Sequence, residues 1–376
     1  MKRISYISII LIILFLGIIG NAQQNRPEES TKTKIGCLFP LSGSKEAFGT
    51  EALSGALIAI DAFEPNFANQ EIELLIEDTK DDAQVTKYKV KRLVERGASS
   101  IFGTLTKPEA AAAADAAQKL GIPIILMNRG AEFTNSGEFV FHNSTDPDSE
   151  IKKLLDFARI NAGINCFSCL SPDNPYGNEY SKAFEMQLET LGLKAPCRVY
   201  SNDSVDFKGH ILALKASLGG EPNSCAIFIP DFPKRLKILL PQIFFWELDK
   251  VKFLGTEGWC NRELHEDIPL YVKNALFTCP FWLDDPRVEV QNFTNKFEKF
   301  FGRKPTLLAA FAYDNAKILA QCASKNPAPQ AIRSCLASLT KFHGVCGLTS
   351  FSPNRRAVRN LQIFRFDGLG NIVIVQ

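Results

Sequence analysis

Cys166 and Cys169 stand three residues apart, a spacing used by redox pairs and by half of a zinc site. The segment that holds them, residues 165–170, reads as a strand rather than the start of a helix. No second cysteine pair or histidine cluster stands nearby with zinc-like spacing, and the four histidines are scattered. Neither a metal site nor a cofactor is expected. Ten cysteines are many for an exported chain. Cys37, Cys225 and Cys279 fall within apolar runs and read as buried thiols, whereas Cys322, Cys335 and Cys346 are close enough to supply a disulfide; the pairing stays open. No nucleophile elbow, phosphate-binding loop or other local catalytic motif is visible, so an enzyme is not expected. Asp367-Gly368-Leu369-Gly370 lies between two apolar runs with no helix behind it and reads as a hairpin turn. The chemistry left is that of binding. Gly49, near a helix start, offers free backbone N–H groups to an anion or carboxylate.

The elements that position such groups follow from periodicity. Residues 35–39 form an apolar run of strand length, stopped by Pro40, and Leu41-Ser42-Gly43-Ser44 suits a turn. Ala52, Leu53, Ala56, Leu57 and Ile60 then recur at helical spacing. Gly55 inside that helix costs roughly 1 kcal/mol against alanine, which marks the close approach of another backbone or a ligand. Strands at 71–77, 100–102 and 122–127 alternate with helices at 83–96 and 108–120. This is the pattern of a parallel sheet with connecting helices. Such a sheet gathers three polar loops on one edge, residues 42–48, 103–106 and 128–130, where ligands of open α/β folds bind.

Charged residues make up 22% and hydrophobic residues 45%, an ordinary globular balance, and 376 residues suffice for two domains. The 43 basic residues less Lys2 and Arg3 equal the 41 acidic ones. A neutral chain carries no electrostatic footprint for nucleic acid, so no nucleic-acid partner is expected. Lys2 and Arg3, the apolar run 7–19 and the small residues Gly20 and Ala22 read as an export signal over residues 1–22, cleaved before Gln23. Residues 23–33 are a polar, flexible leader.

The run IGCLFPLSG, then FG, then SGALIAID resembles the opening of type I periplasmic binding proteins of the leucine/isoleucine/valine-binding family. Further stretches are similar in the same order: Tyr176-Gly177, Val205-Asp206-Phe207, Asp231-Phe232, Gly255-Thr256-Glu257-Gly258-Trp259 and Ala309-Ala310-Phe311-Ala312-Tyr313-Asp314-Asn315-Ala316. The likeness covers residues 34–376. It implies an α/β fold of two Rossmann-like lobes with parallel sheets joined by hinge crossovers. Residues 34–144 and 278–345 would form the first lobe, and 145–277 and 346–376 the second.

The resemblance also implies a site. Its two first-lobe loops fall on 103–106 and on Asn128 and Arg129, and they would hold a ligand carboxylate, with Thr106 as hydroxyl donor and Thr104 as rival. Asn128-Arg129 departs from the family's Ala-Thr; Arg129 would grip a second acidic group by a bidentate contact, or else sit as a solvated rim residue. The family's second-lobe carboxylate falls on Glu257, which would take a ligand ammonium or, in the plainer reading, pair with a nearby lysine. Tyr176 and Phe232 would wall the second lobe and Phe48 the first, places where an aromatic is otherwise core.

Two binding functions follow. One is a monomeric solute receptor of the periplasm that closes on an amino acid-like small molecule and delivers it to an ABC transporter permease. The alternative is a protein-binding regulator of a cell-envelope partner, since PLSGSKEAFG also resembles activators of cell-wall synthases.

Overall fold

The computed structural model describes residues 32–65, 71–129, 136–218 and 222–375. The expected export segment, most of the leader and Gly130 lie outside them. The apolar run 35–39 is buried throughout within β1 (Thr33–Phe39). It lies between β2 (Ile72–Asp78) and β3 (Ser100–Gly103), and β4 (Ile124–Leu126) and β5 (Val140–His142) complete a sheet of order β2-β1-β3-β4-β5. All four pairings are parallel. Unbroken apolar strands suit this arrangement, because helices cover both faces.

The helix Glu46–Ala59 packs on a later one, Leu307–Lys325. Their contact explains Gly55: a Cβ there would strike the backbone carbonyl of Ala309. The close approach expected from the sequence is thus made by a backbone.

The second sheet contains β6 (Cys166–Pro172), β7 (Cys197–Tyr200), β8 (Cys225–Phe228), β9 (Lys252–Gly255) and β10 (Ala275–Thr278), all parallel. A small antiparallel sheet follows, made of β11 (Phe342–Gly344), β12 (Gly347–Phe351) and β13 (Ala357–Arg359). The chain then returns as the hairpin β14 (Ile363–Phe366) and β15 (Ile372–Ile374), with Asp367 capping the turn as expected. The hairpin pairs antiparallel with β10, giving the order β15-β14-β10-β9-β8-β6-β7. Cys346, Phe351 and Ala357 pack into the first lobe's core. The final crossing therefore follows Arg359, later than the expected return after residue 345.

The crossings are tied to one another. The Asn143 amide donates to Asn315 Oδ1 at 2.5 Å, and its carbonyl oxygen accepts from Arg359, which also donates to the Ser144 carbonyl at 2.8 Å. Asp314 accepts from the N–H groups of Val345 (2.8 Å) and Cys346 (2.9 Å). Asn315 of the late helix thus fastens the first crossing, while its neighbour Asp314 fastens the β11–β12 turn within the first lobe, because buried backbone donors must find partners.

Four disulfides join Cys166–Cys225, Cys169–Cys197, Cys260–Cys279 and Cys322–Cys335, and Cys37 and Cys346 are free and buried. Cys225 and Cys279, read above as buried thiols, are bridged instead. Strand register is the reason for the first: it sets Cys166 beside Cys225 and Cys169 beside Cys197 across neighbouring strands. No helix among the described residues is long and apolar enough to cross a membrane.

Candidate functional site

Three polar loops meet at the carboxyl edge of the first sheet. Lys45 and Phe48 follow β1, Leu105 to Pro108 follow β3, and Met127 to Arg129 follow β4. Across from them stand residues of the second lobe's helix Pro175–Thr190, and together they bound a cleft of about 1200 Å³. Of the residues expected at the site, Phe48, Thr106, Asn128, Arg129 and Tyr176 line this cleft.

Local chemistry fixes each loop. Thr104 is fully buried at a left-handed φ of 63°, unusual for a β-branched residue, and its hydroxyl donates to the Gly103 carbonyl at 2.7 Å. It turns the chain at the end of β3 and does not reach the cleft. Thr106, the expected hydroxyl donor, directs its hydroxyl to Glu109 Oε2 at 3.0 Å, and its N–H goes to the same oxygen at 3.2 Å. Its proton is thus committed to Glu109, and its oxygen accepts from the Glu109 backbone N–H in a capping box at the start of the helix Lys107–Leu120. Asn128 is buried and donates to the carbonyl of Arg129 at 3.0 Å.

Arg129 and Glu257 meet across the cleft in a hydrogen-bonded ion pair, Nη2 to Oε1. The guanidinium also lies over the Tyr176 ring, 4.6 Å from its centroid. Burial is the largest single influence and opposes its charge, but Glu257 together with Tyr180, Tyr176 and Glu150 outweighs it and raises the arginine's pKa. The lysine partner considered for Glu257 is therefore an arginine from the other lobe. Glu257 itself rides on the short turn Glu257–Trp259, pinned by the buried Trp259, whose indole N–H donates to the Ile229 carbonyl at 2.8 Å. Gly258 permits the fit, because a Cβ there would meet the Asp231 carbonyl. The second carboxylate oxygen of Glu257 is buried without a partner.

Tyr176 is the centre of an aromatic stack. Its ring lies 4.8 Å from Phe232 and 4.7 Å from Tyr180, and its hydroxyl pairs with Thr256 Oγ1 at 2.6 Å. Phe232 stands behind Tyr176, not in the cleft lining. Beneath the stack lies a group that sequence reasoning missed. Glu150 is buried in the helix Pro147–Ile160; one oxygen accepts from Tyr180 (3.1 Å) and Thr278 (2.9 Å), while the other has no partner. Burial, reinforced by Glu257, pushes its pKa up to about 8. Also unforeseen are Lys45, Lys107 and Lys182 in the lining, where helix-surface charges gave no distinguishing signal. Among the described residues no cluster of His, Cys, Asp or Glu could hold a metal ion.

Comparison with known proteins bears on this geometry. The sequence pattern of a family described as periplasmic binding protein matches residues 32–371. The chain is 27% identical over 198 residues to the Leu/Ile/Val-binding protein homolog 8 of Brucella abortus (strain 2308), covering 48% of each chain, so the match spans about half the relative's length. In fold it is similar to an ABC transporter substrate-binding protein from Sphaerobacter thermophilus, with a TM-score of 0.75 at 20% identity over 92% of this chain and 96% of that one. It is also similar to a solute binding protein of an ABC transporter from Rhodopseudomonas palustris BisB5 in complex with 3,4-dihydroxy benzoic acid. That likeness has a TM-score of 0.68 at 20% identity, over 90% of this chain and 93% of that one.

Proposed function

The chain belongs to the periplasmic binding protein family, and on that footing we propose that it is a solute receptor that closes on a small amino acid or related polar ligand. It hands that ligand to an ABC transporter permease. The observation that carries this reading is the ligand-sized cleft, with Arg129 of one lobe and Tyr176 of the other facing each other inside it. Lobes of this architecture approach by hinge motion, and the three crossings are the hinge. In this reading Phe48 and Tyr176 wall the ligand, and Phe232 backs Tyr176. Asn128 and Thr106 shape the first-lobe loops, with Thr104 supporting them from beneath. Arg129 and Glu257 supply charge.

The receptor works in the periplasm as a monomer, after removal of residues 1–22. Four disulfides fit an oxidising compartment. The Brucella relative is named for Leu, Ile and Val and the Rhodopseudomonas structure holds an aromatic acid, so both classes belong in the binding test.

A thermal-shift screen tests the proposal, using the chain from Gln23 against amino acids, amides, short peptides and carboxylic acids. A ligand at 100 times its dissociation constant adds about 2.7 kcal/mol of stability. A reproducible shift with one chemical class is expected. A flat response across the panel would remove the receptor reading and favour the protein-binding regulator.

A further inference from the structure

We propose that Arg129 makes this cleft a reader of small carboxylic acids that lack an amino group, by occupying the place on Glu257 that a ligand ammonium would otherwise take. The inference rests on the receptor reading above and narrows it to a substrate class.

The first observation is that Glu257 is already answered. One of its oxygens accepts from Arg129, its side chain is only 10% exposed, and it is absent from the cleft lining. What the cleft presents in its place is the arginine. To reach Glu257, an incoming ammonium would have to displace a guanidinium held by an ion pair and by the Tyr176 ring. The other oxygen of Glu257 has no partner, but it is buried, and Glu257 does not line the cleft.

The second observation is the balance of charge. Five lining residues are basic (Lys45, Lys107, Arg129, Lys182 and Arg356) and three are acidic (Asp146, Asp148 and Glu179). Arg356 and Asp146 pair with each other at 2.7 Å. With Glu257 added, the bases still outnumber the acids. Such a cleft attracts an anion and repels a free cation, and a zwitterion gains nothing net from it.

The third observation is donor capacity. Glu257 engages Nη2 of Arg129, and a guanidinium carries five N–H donors in a planar fork that matches a carboxylate bidentately. The Tyr176 ring beside that fork and Phe48 at the mouth supply apolar surface for the body of the acid. The ligand so described has a carboxylate at Arg129 and an apolar or aromatic body, with no ammonium.

Calorimetric titration with matched pairs tests this: 4-methylpentanoate against leucine, 3-phenylpropanoate against phenylalanine, and glutarate against glutamate. For at least one pair the acid should bind at least tenfold more tightly than its amino counterpart. In Arg129→Met that preference should vanish or reverse, because Glu257 is uncovered. In Glu257→Gln, where no opposite charge holds the guanidinium, the acid should bind several-fold more tightly. If amino acids bind as well as or better than the matched acids, and Arg129→Met leaves the ratio unchanged, the inference is overturned while the receptor reading stands. If no member of any pair binds and the wider thermal panel is also flat, both fall.

Discussion

Arg129, at the end of the fourth strand of the first lobe, and Glu257, on a turn of the second, are 128 residues apart in sequence and joined in one ion pair across the cleft. The contact has two consequences. It sets the charge that a ligand meets, and it ties the two sides of the cleft to each other.

The tie is testable in solution. Replacing Glu257 by glutamine removes the charge and leaves Arg129 its aromatic contact and a weaker, neutral acceptor, so the hinge samples wider openings more readily. Glu257→Gln is expected to enlarge the radius of gyration of the unliganded protein in small-angle scattering. Identical scattering from wild type and variant would show that the pair does not hold the lobes.

Glu150 predicts a pH dependence of stability. Its carboxyl titrates near 8 in the folded chain against 4.5 ordinarily. Below about pH 4.5 folded and unfolded chains both hold the proton and the group costs nothing. As pH rises towards about 8 the unfolded chain gains by releasing it, so stability falls, and the loss levels off once the folded form ionises too. The accumulated penalty is on the order of a few kcal/mol. Urea unfolding at pH 5 and pH 8 should show Glu150→Gln declining less than wild type between the two. Parallel behaviour of the two proteins would mean that Glu150 is ionised in the fold.

Gly55→Ala should destabilise the protein by about 1–3 kcal/mol, because the added methyl group meets the Ala309 carbonyl in a packed helix contact. Ligand affinity, read separately, should hold once folding is complete. A variant as stable as wild type would show that the two helices can move apart at no cost.

Alkylation tests the cysteine assignment. Unfolded without reductant, the chain should take two labels, on Cys37 and Cys346; after reduction it should take ten. Four or more labels without reductant would mean that a bridge described above is missing.

Much of this molecule was legible in its sequence, for local reasons. The strand at 35–39, the helix after it, the intrusion at Gly55 and the turn at Asp367 each follow from residues within one or two turns of chain. The three polar loops were also foreseeable, since alternating strands and helices oblige their connections to gather at one sheet edge. What stayed hidden depends on register and on lobe contact. Cys166 and Cys225 lie opposite each other because β6 and β8 are neighbours, a fact that no spacing records. Thr106 reads as a ligand donor in the sequence, but in the fold Glu109 takes its proton. Glu150 reads as an ordinary helix-surface acid until Tyr180 and Thr278 close over it. Arg129 and Glu257 each stand out alone in the sequence, and only the tertiary structure shows that they answer one another.

The most direct test of the account is calorimetric titration of wild type, Arg129→Met and Tyr176→Ala with the acid that gives the largest thermal shift. One site per chain is expected in the wild type and at least a tenfold loss of affinity in each variant, from the missing charge in one and the missing wall in the other. Undiminished binding by both variants, with their folds intact, would place the ligand elsewhere and contradict it.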